Sequence, residues 1–267
     1  MYRFLLRPKW IVLHVVVLAL VVTMINLALW QLRRLDERKS FNREVSSHLA
    51  IAPAPLDAVL QSGTEPASVE WRRVTATGTY EAGSQVLIRD RSLNGEAGFN
   101  VVAPLRLADG RFVAVERGWV PGETTTPPAA PTGTVTLSGR LRVTQQKRHS
   151  WEKADPAEGV LDTLNRVDVA RLDRQIEGDA VPMYVEAVNS DPADNAVSAI
   201  PAPALSDGPH LSYAVQWFLF TTAAIVGWVL AVRKHLADQR KEAARAAKIA
   251  AAAATATATG VQAPTEA

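Results

Sequence analysis

The chain has 267 residues, of which 48% are hydrophobic and 21% are charged, and it contains no cysteine. The absence of cysteine excludes disulfide bonds, thiolate catalysis, iron–sulfur clusters and cysteine-ligated metal sites. The formal net charge of +2 is too balanced for a nucleic-acid-binding protein, which concentrates basic side chains on one face.

The first predicted element is an apolar helix over residues 10–30, WIVLHVVVLALVVTMINLALW, which carries no formally charged side chain. At about 1.5 Å per residue, this helix reaches across a hydrocarbon core of about 30 Å. Tryptophan at both ends is typical of membrane interfaces. A cleaved signal peptide is the alternative, but the apolar run is long for one and residues 29–31 form a poor cleavage site. We therefore predict an uncleaved transmembrane helix after a cytoplasmic N-terminus of residues 1–9.

Residues 31–210 are predicted to form a β-rich domain. The clearest strand is 134–143, TVTLSGRLRV, in which apolar and polar side chains alternate. Ala-Asp-Gly at 108–110 is a hairpin signal between two further strands. The other strand candidates are short runs at residues 73–80, 85–90, 101–107, 111–120 and 183–188. Short helices are expected at 56–61 and at 168–176, and the second has apolar residues at helical spacing.

Two proline-rich segments interrupt the regular structure of this domain. Residues 121–133, PGETTTPPAAPTG, contain four prolines, which neither donate to a β-ladder nor continue a helix. Residues 191–209 are similarly rich in proline, alanine and aspartate. We predict that the first segment is a loop and that the second is a tether that returns the domain to the membrane.

A second apolar block, LSYAVQWFLFTTAAIVGWVLAV at residues 211–232, is also uncharged and long enough to span a bilayer. Arg233 and Lys234 follow it at once, whereas no lysine or arginine lies between residues 175 and 210. By the positive-inside rule, the C-terminal end of this helix is cytoplasmic. Two spans place both termini on one side, so residues 31–210 are expected outside. The tail, residues 233–267, is expected to begin as a helix and to end as a disordered Ala/Thr-rich segment.

The predicted fold class is therefore an α+β protein of the plasma membrane, with N- and C-terminal transmembrane helices flanking an extracytoplasmic β-rich domain. The sequence places Arg33 and Arg34 at the outer membrane surface, which is the side that the positive-inside rule disfavours. These two guanidinium groups either contact phospholipid headgroups or bind an anionic ligand or partner there.

Sequence motifs of enzymes are absent, because the chain lacks HExxH, GxSxG, a glycine-rich phosphate-binding loop and an EF-hand loop. We therefore expect that the protein is not an enzyme. The alternative is a membrane-anchored outer enzyme, in which folding would assemble a polar cluster around His48 or His149 as the catalytic base. The residues next to these two histidines form no supporting pattern.

One group of residues suits a haem. On a helix, His210, Tyr213 and Trp217 fall at positions i, i+3 and i+7 of one face. The predicted topology places them at the same depth as Trp30 and the two arginines that follow it. A neutral imidazole ligates iron, aromatic rings cover the macrocycle, and guanidinium groups pair with propionates. The alternative is an ordinary interfacial aromatic belt that contains a histidine. His14 is a second ligand candidate, which we expect to serve in helix packing instead.

Five segments follow one another along the chain in an order that is specific when taken together with the two apolar blocks. They are LALWQLRRLDERK, RRVTATGTY, IRDRSLNGEAGFNVVAPLRLADGRFVAVERGWVP, PMYVEA and HLSYAVQWF. In these segments the chain resembles the SURF1/Shy1 family of cytochrome c oxidase assembly factors. It departs from the family pattern at Ala28, where glycine is usual, and at Glu116, where asparagine is common.

The resemblance implies an assembly factor that helps to place haem a in the catalytic subunit of cytochrome c oxidase. His210 matches the membrane histidine that is considered the family's haem ligand, which supports His210 as the ligand of the haem iron. The implied partners are the oxidase catalytic subunit, haem A synthase and the lipid bilayer. On this hypothesis, the protein holds haem a in the outer leaflet and releases it without catalysing a reaction.

The resemblance also covers Arg117, Gly118 and Trp119, for which two interpretations remain. They form a docking surface for the oxidase, or they are fold elements in which glycine permits a close backbone approach and tryptophan fills the core. For the whole protein, the competing function is a scaffold that stabilises the nascent oxidase subunit and never holds haem.

Overall fold

The computed structural model describes residues 3–147 and 149–259, and the chain forms two compact units. The two ends of the chain, up to Lys39 and from Asp207 onward, make up a helical unit, and Ser40–Ser206 make up a β-rich unit. The prediction of a β-rich domain between two long apolar helices is confirmed.

The helices differ mainly in length. The described part of the chain contains the α-helices α1 (Pro8–Ala50), α2 (Leu56–Val59), α3 (Val169–Asp173) and α4 (His210–Thr259) and the 3-10 turns Arg3–Leu6 and Pro66–Val69. Both α1 and α4 are long and apolar enough to cross a membrane, and their apolar stretches leave most side chains exposed. α1 continues beyond the predicted apolar helix because neither glycine nor proline interrupts the chain before Pro53.

The alanine-rich tail corrects one prediction. α4 runs without a break to Thr259, so the low-complexity residues that we expected to be disordered are helical as far as the structure describes them. Alanine has the highest helix propensity of all residues, and extending an existing helix avoids the cost of starting a new one. The remaining tail, residues 260–267, lies outside the described residues.

In the helical unit, a column of at least partly shielded side chains recurs every three or four residues on each helix. On α1 the column is His14, Val17, Val21, Met24, Ala28, Gln31 and Leu35, and on α4 it is His210, Ala214, Trp217, Thr221, Ala224 and Trp228. This spacing is typical of paired helices. Ala28 and Ala214 are almost completely buried, and small residues of this kind let helices pack closely.

The β-rich unit is built around one sheet of eight strands. They are β1 (Ala54–Pro55), β2 (Arg73–Tyr80), β3 (Val86–Leu93), β4 (Glu96–Leu107), β5 (Phe112–Pro121), β6 (Thr134–Val143), β7 (Thr163–Leu164) and β8 (Ala180–Asp191). Their order is β1-β2-β6-β8-β5-β4-β3-β7, and β2 also pairs with β4. This additional pairing closes β2, β6, β8, β5 and β4 into a barrel.

Most neighbouring strands are antiparallel, but β5 runs parallel to β8. The predicted strands 73–80 and 134–143 are observed with the same bounds. Leu105, Leu137 and Met183 belong to the main apolar core, which the barrel strands enclose. A second core lies where α3 packs on the sheet, and it joins Phe112 of β5 to Leu172 of α3.

Part of the segment 191–209, which we predicted to be a tether, is in contact with the β-rich unit. Residues 192–201, here called the strap, pack on the β-rich unit through polar contacts. Ser198 exchanges two backbone hydrogen bonds with Trp119, at 2.7 and 2.8 Å. Asp194 pairs with Arg117, and the carbonyl of Ile200 accepts a hydrogen bond from the guanidinium of Arg140 at 3.2 Å. The strap is therefore a structural part of the domain.

Glu116 of β5 is a buried carboxyl group, 4% exposed. It accepts a hydrogen bond from Asn100 Nδ2 at 2.7 Å. Burial raises the pKa of Glu116 above its ordinary value, and the nearby Glu186 carboxyl adds to this shift. The folded protein therefore holds the proton of Glu116 more tightly than the unfolded chain does.

Replacement of Glu116 by Gln is expected to stabilise the protein at neutral pH, because glutamine keeps the acceptor for Asn100 without a buried charge. In the wild type, the protonated Glu116 carboxyl contributes to the free energy of unfolding. This contribution is complete below the ordinary glutamate pKa and is lost as the pH rises through the raised pKa. The measurement is urea unfolding of the full-length protein in detergent, followed by far-ultraviolet circular dichroism at several pH values. The free energy of unfolding should decline less with rising pH for Glu116→Gln than for the wild type. Equal pH slopes for the two proteins would contradict this prediction.

Candidate functional site

His210 is the first residue of α4 and is half-buried. Its Nδ1 atom lies 2.9 Å from Oε1 of Gln31 on α1. With the Gln31 amide in this orientation, Oε1 accepts from Nδ1–H, and the imidazole tautomer that matches this contact has its lone pair on Nε2. A hydrogen bond of this kind is what orients a metal-ligating histidine and fixes its tautomer.

The backbone before α4 leaves space beside this ring. Gly208 has a φ of +70°, and a Cβ atom there would lie 3.4 Å from Cδ2 and 3.5 Å from Nε2 of His210. Both the positive φ and the proximity to Nε2 favour glycine at this position. The carbonyl of Pro209 accepts hydrogen bonds from Ser212 Oγ at 2.7 Å and from the N–H of Tyr213 at 3.2 Å, which starts the helix.

The predicted aromatic residues divide into two groups. Trp217 is half-buried in the shielded column of α4, together with His210. Tyr213 and Phe220 are each 47% exposed, and Trp30 of α1 has the same exposure. The ring of Trp217 meets Phe220 edge to face at a centroid distance of 6.0 Å. The helical unit therefore combines a histidine lone pair with uncovered aromatic surface.

Arg33 and Arg34 follow Gln31 on α1, and both are exposed. Arg34 forms an ion pair with Glu37 at 2.7 Å, which is a helical i, i+3 pair at the surface and therefore weak. For Arg33, no ion pair occurs within residues 3–147 and 149–259. Arg33 is therefore the more available cation for an anionic group near His210.

A single histidine suits iron that arrives in a macrocycle, whereas a bare metal ion needs several protein ligands. Among the residues that the structure describes, no three His, Asp or Glu side chains form a group that could hold a metal ion. The donor set at His210 therefore fits a haem better than a free ion.

His14 has the opposite arrangement of ring nitrogens. Its Nδ1 atom accepts a hydrogen bond from the indole Nε1–H of Trp228 at 3.0 Å, so the neutral ring carries its proton on Nε2. Its ring also lies 5.9 Å from that of Trp10. These contacts favour the packing role that we predicted for His14.

The two histidines of the enzyme hypothesis make other contacts. Nδ1 of His48 lies 2.5 Å from the carbonyl oxygen of Glu70, and His149 stacks on Trp151. Within the described residues, neither imidazole has a carboxylate partner of the kind that orients a catalytic base.

The family model of the SURF1 family matches residues 18–222, which include both residues of the His210–Gln31 pair. The chain belongs to the SURF1 family. A SURF1-like protein of Mycobacterium tuberculosis is 34% identical over 252 residues, which cover 90% of each chain, and a SURF1-like protein of Mycobacterium bovis has the same values. The cytochrome oxidase assembly protein SHY1 of Saccharomyces cerevisiae is 29% identical over 157 residues, which cover 54% of this chain and 40% of the yeast protein.

For Arg117, Gly118 and Trp119 of this SURF1-family protein, the structure favours the interpretation as fold elements over the docking surface. Arg117 and Trp119 are 3% and 6% exposed, so neither side chain can contact a partner. A Cβ atom on Gly118 would lie 2.6 Å from the carbonyl oxygen of Ser198 in the strap. Arg117 and Trp119 contact the strap, and a role as fold elements that hold β5 against it accounts for these contacts.

Sequence reasoning placed Gln31 at the same depth as His210, beside Trp30, but gave it no role in the site. The family segment LALWQLRRLDERK contains it, but a glutamine at the end of an apolar helix has no distinctive local pattern. Its role depends on His210, which is 179 positions away in the sequence. Only the packing register of α1 and α4 brings these two side chains together.

Proposed function

We propose that this protein is an assembly factor for cytochrome oxidase, and that it holds haem a through Nε2 of His210 for delivery to the catalytic subunit. The observation that carries the proposal is the hydrogen bond between His210 Nδ1 and Gln31 Oε1, because it leaves Nε2 free to ligate iron. Membership of the SURF1 family and the similarity to the yeast cytochrome oxidase assembly protein SHY1 support the same function.

In this proposal, α1 and α4 both span the plasma membrane. The outward-facing apolar side chains of each helix, such as Leu18 at 64% and Leu219 at 63% exposure, would face lipid tails. Arg233 and Lys234 would lie in the cytoplasm by the positive-inside rule. Both termini are then cytoplasmic, the β-rich unit is extracytoplasmic, and His210 lies at the outer leaflet.

Haem a is the cargo, and the residues around His210 have separate tasks. Gln31 fixes the imidazole in the tautomer that presents Nε2 to the iron. The rings of Trp30, Tyr213 and Trp217 supply apolar surface for the macrocycle. Arg33 is placed to pair with a propionate, and Arg34 can do so if it leaves Glu37.

The site is suited to transient holding. His210 is half-buried and the aromatic surface around it is largely exposed, so the cargo would bury only part of its own surface. Delivery requires that the donor bind haem a less tightly than the oxidase catalytic subunit does. We infer that the protein is not an enzyme, that haem A synthase supplies the cargo, and that the catalytic subunit receives it.

A scaffold without haem is the competing function, and one observation favours it. The same helix pair contains the His14–Trp228 hydrogen bond, a packing contact between a histidine and a side chain of the facing helix. In this competing function, the His210–Gln31 bond has the same purpose. The protein would then stabilise the nascent oxidase subunit by contact alone.

The test is the haem content of the full-length protein, purified in detergent after co-expression with the enzymes of haem A synthesis. The proposal expects the absorption spectrum of haem a and close to one extracted haem per chain. A haem-free preparation from cells in which the same protein restores oxidase assembly would favour the scaffold.

A further inference from the structure

A loop of the β-rich unit, residues 149–160, exposes apolar side chains to an unusual degree. Trp151 is 79% exposed and Val160 is 77% exposed. The ring of Trp151 stacks on the imidazole of His149, with a centroid distance of 5.4 Å and an interplanar angle of 6°. The pair presents a flat aromatic surface at the tip of the loop.

Three arginines hold this loop in shape. Arg166 donates to Glu152 Oε2 at 3.1 Å and to the Lys153 carbonyl at 3.2 Å. Arg171 donates at 2.6 Å to the carbonyls of both Pro156 and Gly159, and Arg174 donates at 3.3 Å to that of Ala157. Because so many polar contacts fix the backbone, the exposure of Trp151 and Val160 is a property of the folded loop.

The loop carries Glu152, Asp155 and Glu158 against the single base Lys153, and further basic side chains lie beside it. Lys147, Arg166, Arg171 and Arg174 line a recess of about 280 Å³ together with the acids Asp155 and Asp168. The only acid–base pair of the loop among the described residues joins Glu152 to Arg166. Lys147 and Lys153 are exposed, and no acid in the described part of the chain pairs with either of them.

Within the β-rich unit, the loop lies near Phe41 in the C-terminal part of α1. A cleft of about 790 Å³ is lined by Phe41 of α1 and also by Lys147, Glu152 and Arg166. The residues that precede Phe41 on α1 lead to the apolar stretch of that helix. Phe41 is only two residues after Lys39, the last residue of α1 in the helical unit, so the loop is close to the start of the β-rich unit in the chain.

We propose that the 149–160 loop docks on the surface of an anionic bilayer, with Trp151 in the headgroup region and Lys147 and Lys153 on lipid phosphates. This inference rests on the proposed membrane location of α1 and α4. Tryptophan prefers the membrane interface, and lysines near an anionic surface strengthen its attraction. The three observations that favour a bilayer are the aromatic tip, the unpaired lysines and the position beside α1.

The absence of cysteine provides the test. A single Ser150→Cys substitution, next to Trp151 and exposed, accepts one environment-sensitive fluorophore on the full-length protein. The protein is reconstituted into vesicles of phosphatidylcholine alone or of equal parts of phosphatidylcholine and phosphatidylglycerol, with spin-labelled lipid as the quencher. Thr126→Cys is the matched control on another exposed loop, and Leu18→Cys reports whether α1 is in the bilayer.

We expect several-fold stronger quenching at position 150 than at position 126 in the anionic vesicles. When Trp151→Ser, or Lys147→Gln together with Lys153→Gln, is added to the labelled protein, the quenching at position 150 should fall to the level measured at position 126. About 1 M salt, at which the Debye length is about 3 Å, should weaken the quenching.

A probe at position 150 that is as exposed to water as the probe at 126 in both vesicles would overturn the proposal. Shielding that requires an added protein would overturn it as well, in favour of a protein partner. Quenching at position 18 separates these outcomes from a failure of the proposed function. If Leu18→Cys is buried in lipid and Ser150→Cys is not, only the docking loop is wrong.

Discussion

If His210 is the haem ligand that we propose, the haem a that co-purifies with the folded full-length His210→Ala variant is expected to fall more than about tenfold below the wild-type amount, because alanine lacks the lone pair of the proposed ligand. Gln31→Leu should lower the affinity for haem by about 10–100-fold, because the imidazole loses the acceptor that fixes its orientation and tautomer. Extracted haem per chain and the absorption spectrum measure both effects.

Two variants control for damage to the helix pair. His14→Ala removes the other histidine that bonds across the pair, and Gln216→Leu changes an exposed glutamine of α4. Both should retain haem a, and circular dichroism should show unchanged helix content in all four variants. Haem retained by folded His210→Ala, or lost equally in His14→Ala, would refute His210 as the ligand.

Replacement of Arg117 by Met is expected to lower the free energy of unfolding by about 3–5 kcal/mol, the usual cost of breaking a buried ion pair on one side. The side chain of Arg117 is 0% exposed, and its guanidinium donates to both carboxylate oxygens of Asp194, at 2.7 and 3.0 Å. Its other hydrogen bonds go to Gln85 and to the carbonyls of Pro128, at 2.8 Å, and Ala129, at 3.0 Å. Methionine would leave the Asp194 charge and these acceptors without their donor.

Arg111→Met is the matched control, because Arg111 also pairs with two carboxylates but is 39% exposed. Exposed pairs contribute no more than about 1 kcal/mol. Urea unfolding of the full-length proteins in detergent compares the two variants. If Arg117→Met does not accumulate, Arg117→Lys serves instead, since lysine keeps the charge and loses the planar two-point contact with Asp194. Equal losses for the Arg117 and Arg111 variants would contradict the prediction.

The parts of the fold that were predictable have strong local signals. The alternation in β6 and the Ala-Asp-Gly turn between β4 and β5 can be identified without knowledge of the rest of the chain. β7 has only two residues and exists because it pairs with β3. The burial of Arg117 was equally unpredictable, because a guanidinium enters a core only when distant residues supply its acceptors.

The candidate site shows the same contrast. Residue types and helical spacing were enough to single out His210 and its aromatic neighbours. They did not reveal which ring nitrogen is free, because that depends on Gln31 from another helix. Composition also misled us in the tail of α4, since a low-complexity sequence of alanine is both a common signature of disorder and the best sequence for continuing a helix.

The strap imposes an order on the biosynthesis of this domain. Arg117 and Asp194 are 77 positions apart, and β8, which lies between β6 and β5 in the sheet, directly precedes the strap. While the chain is being made, the half-finished barrel has an uncompensated cation and an open strand edge until residues 180–201 have left the ribosome. The next segment to emerge is α4, which begins at His210. The β-rich unit therefore completes its fold only as the second apolar helix emerges, so that the two events become nearly simultaneous.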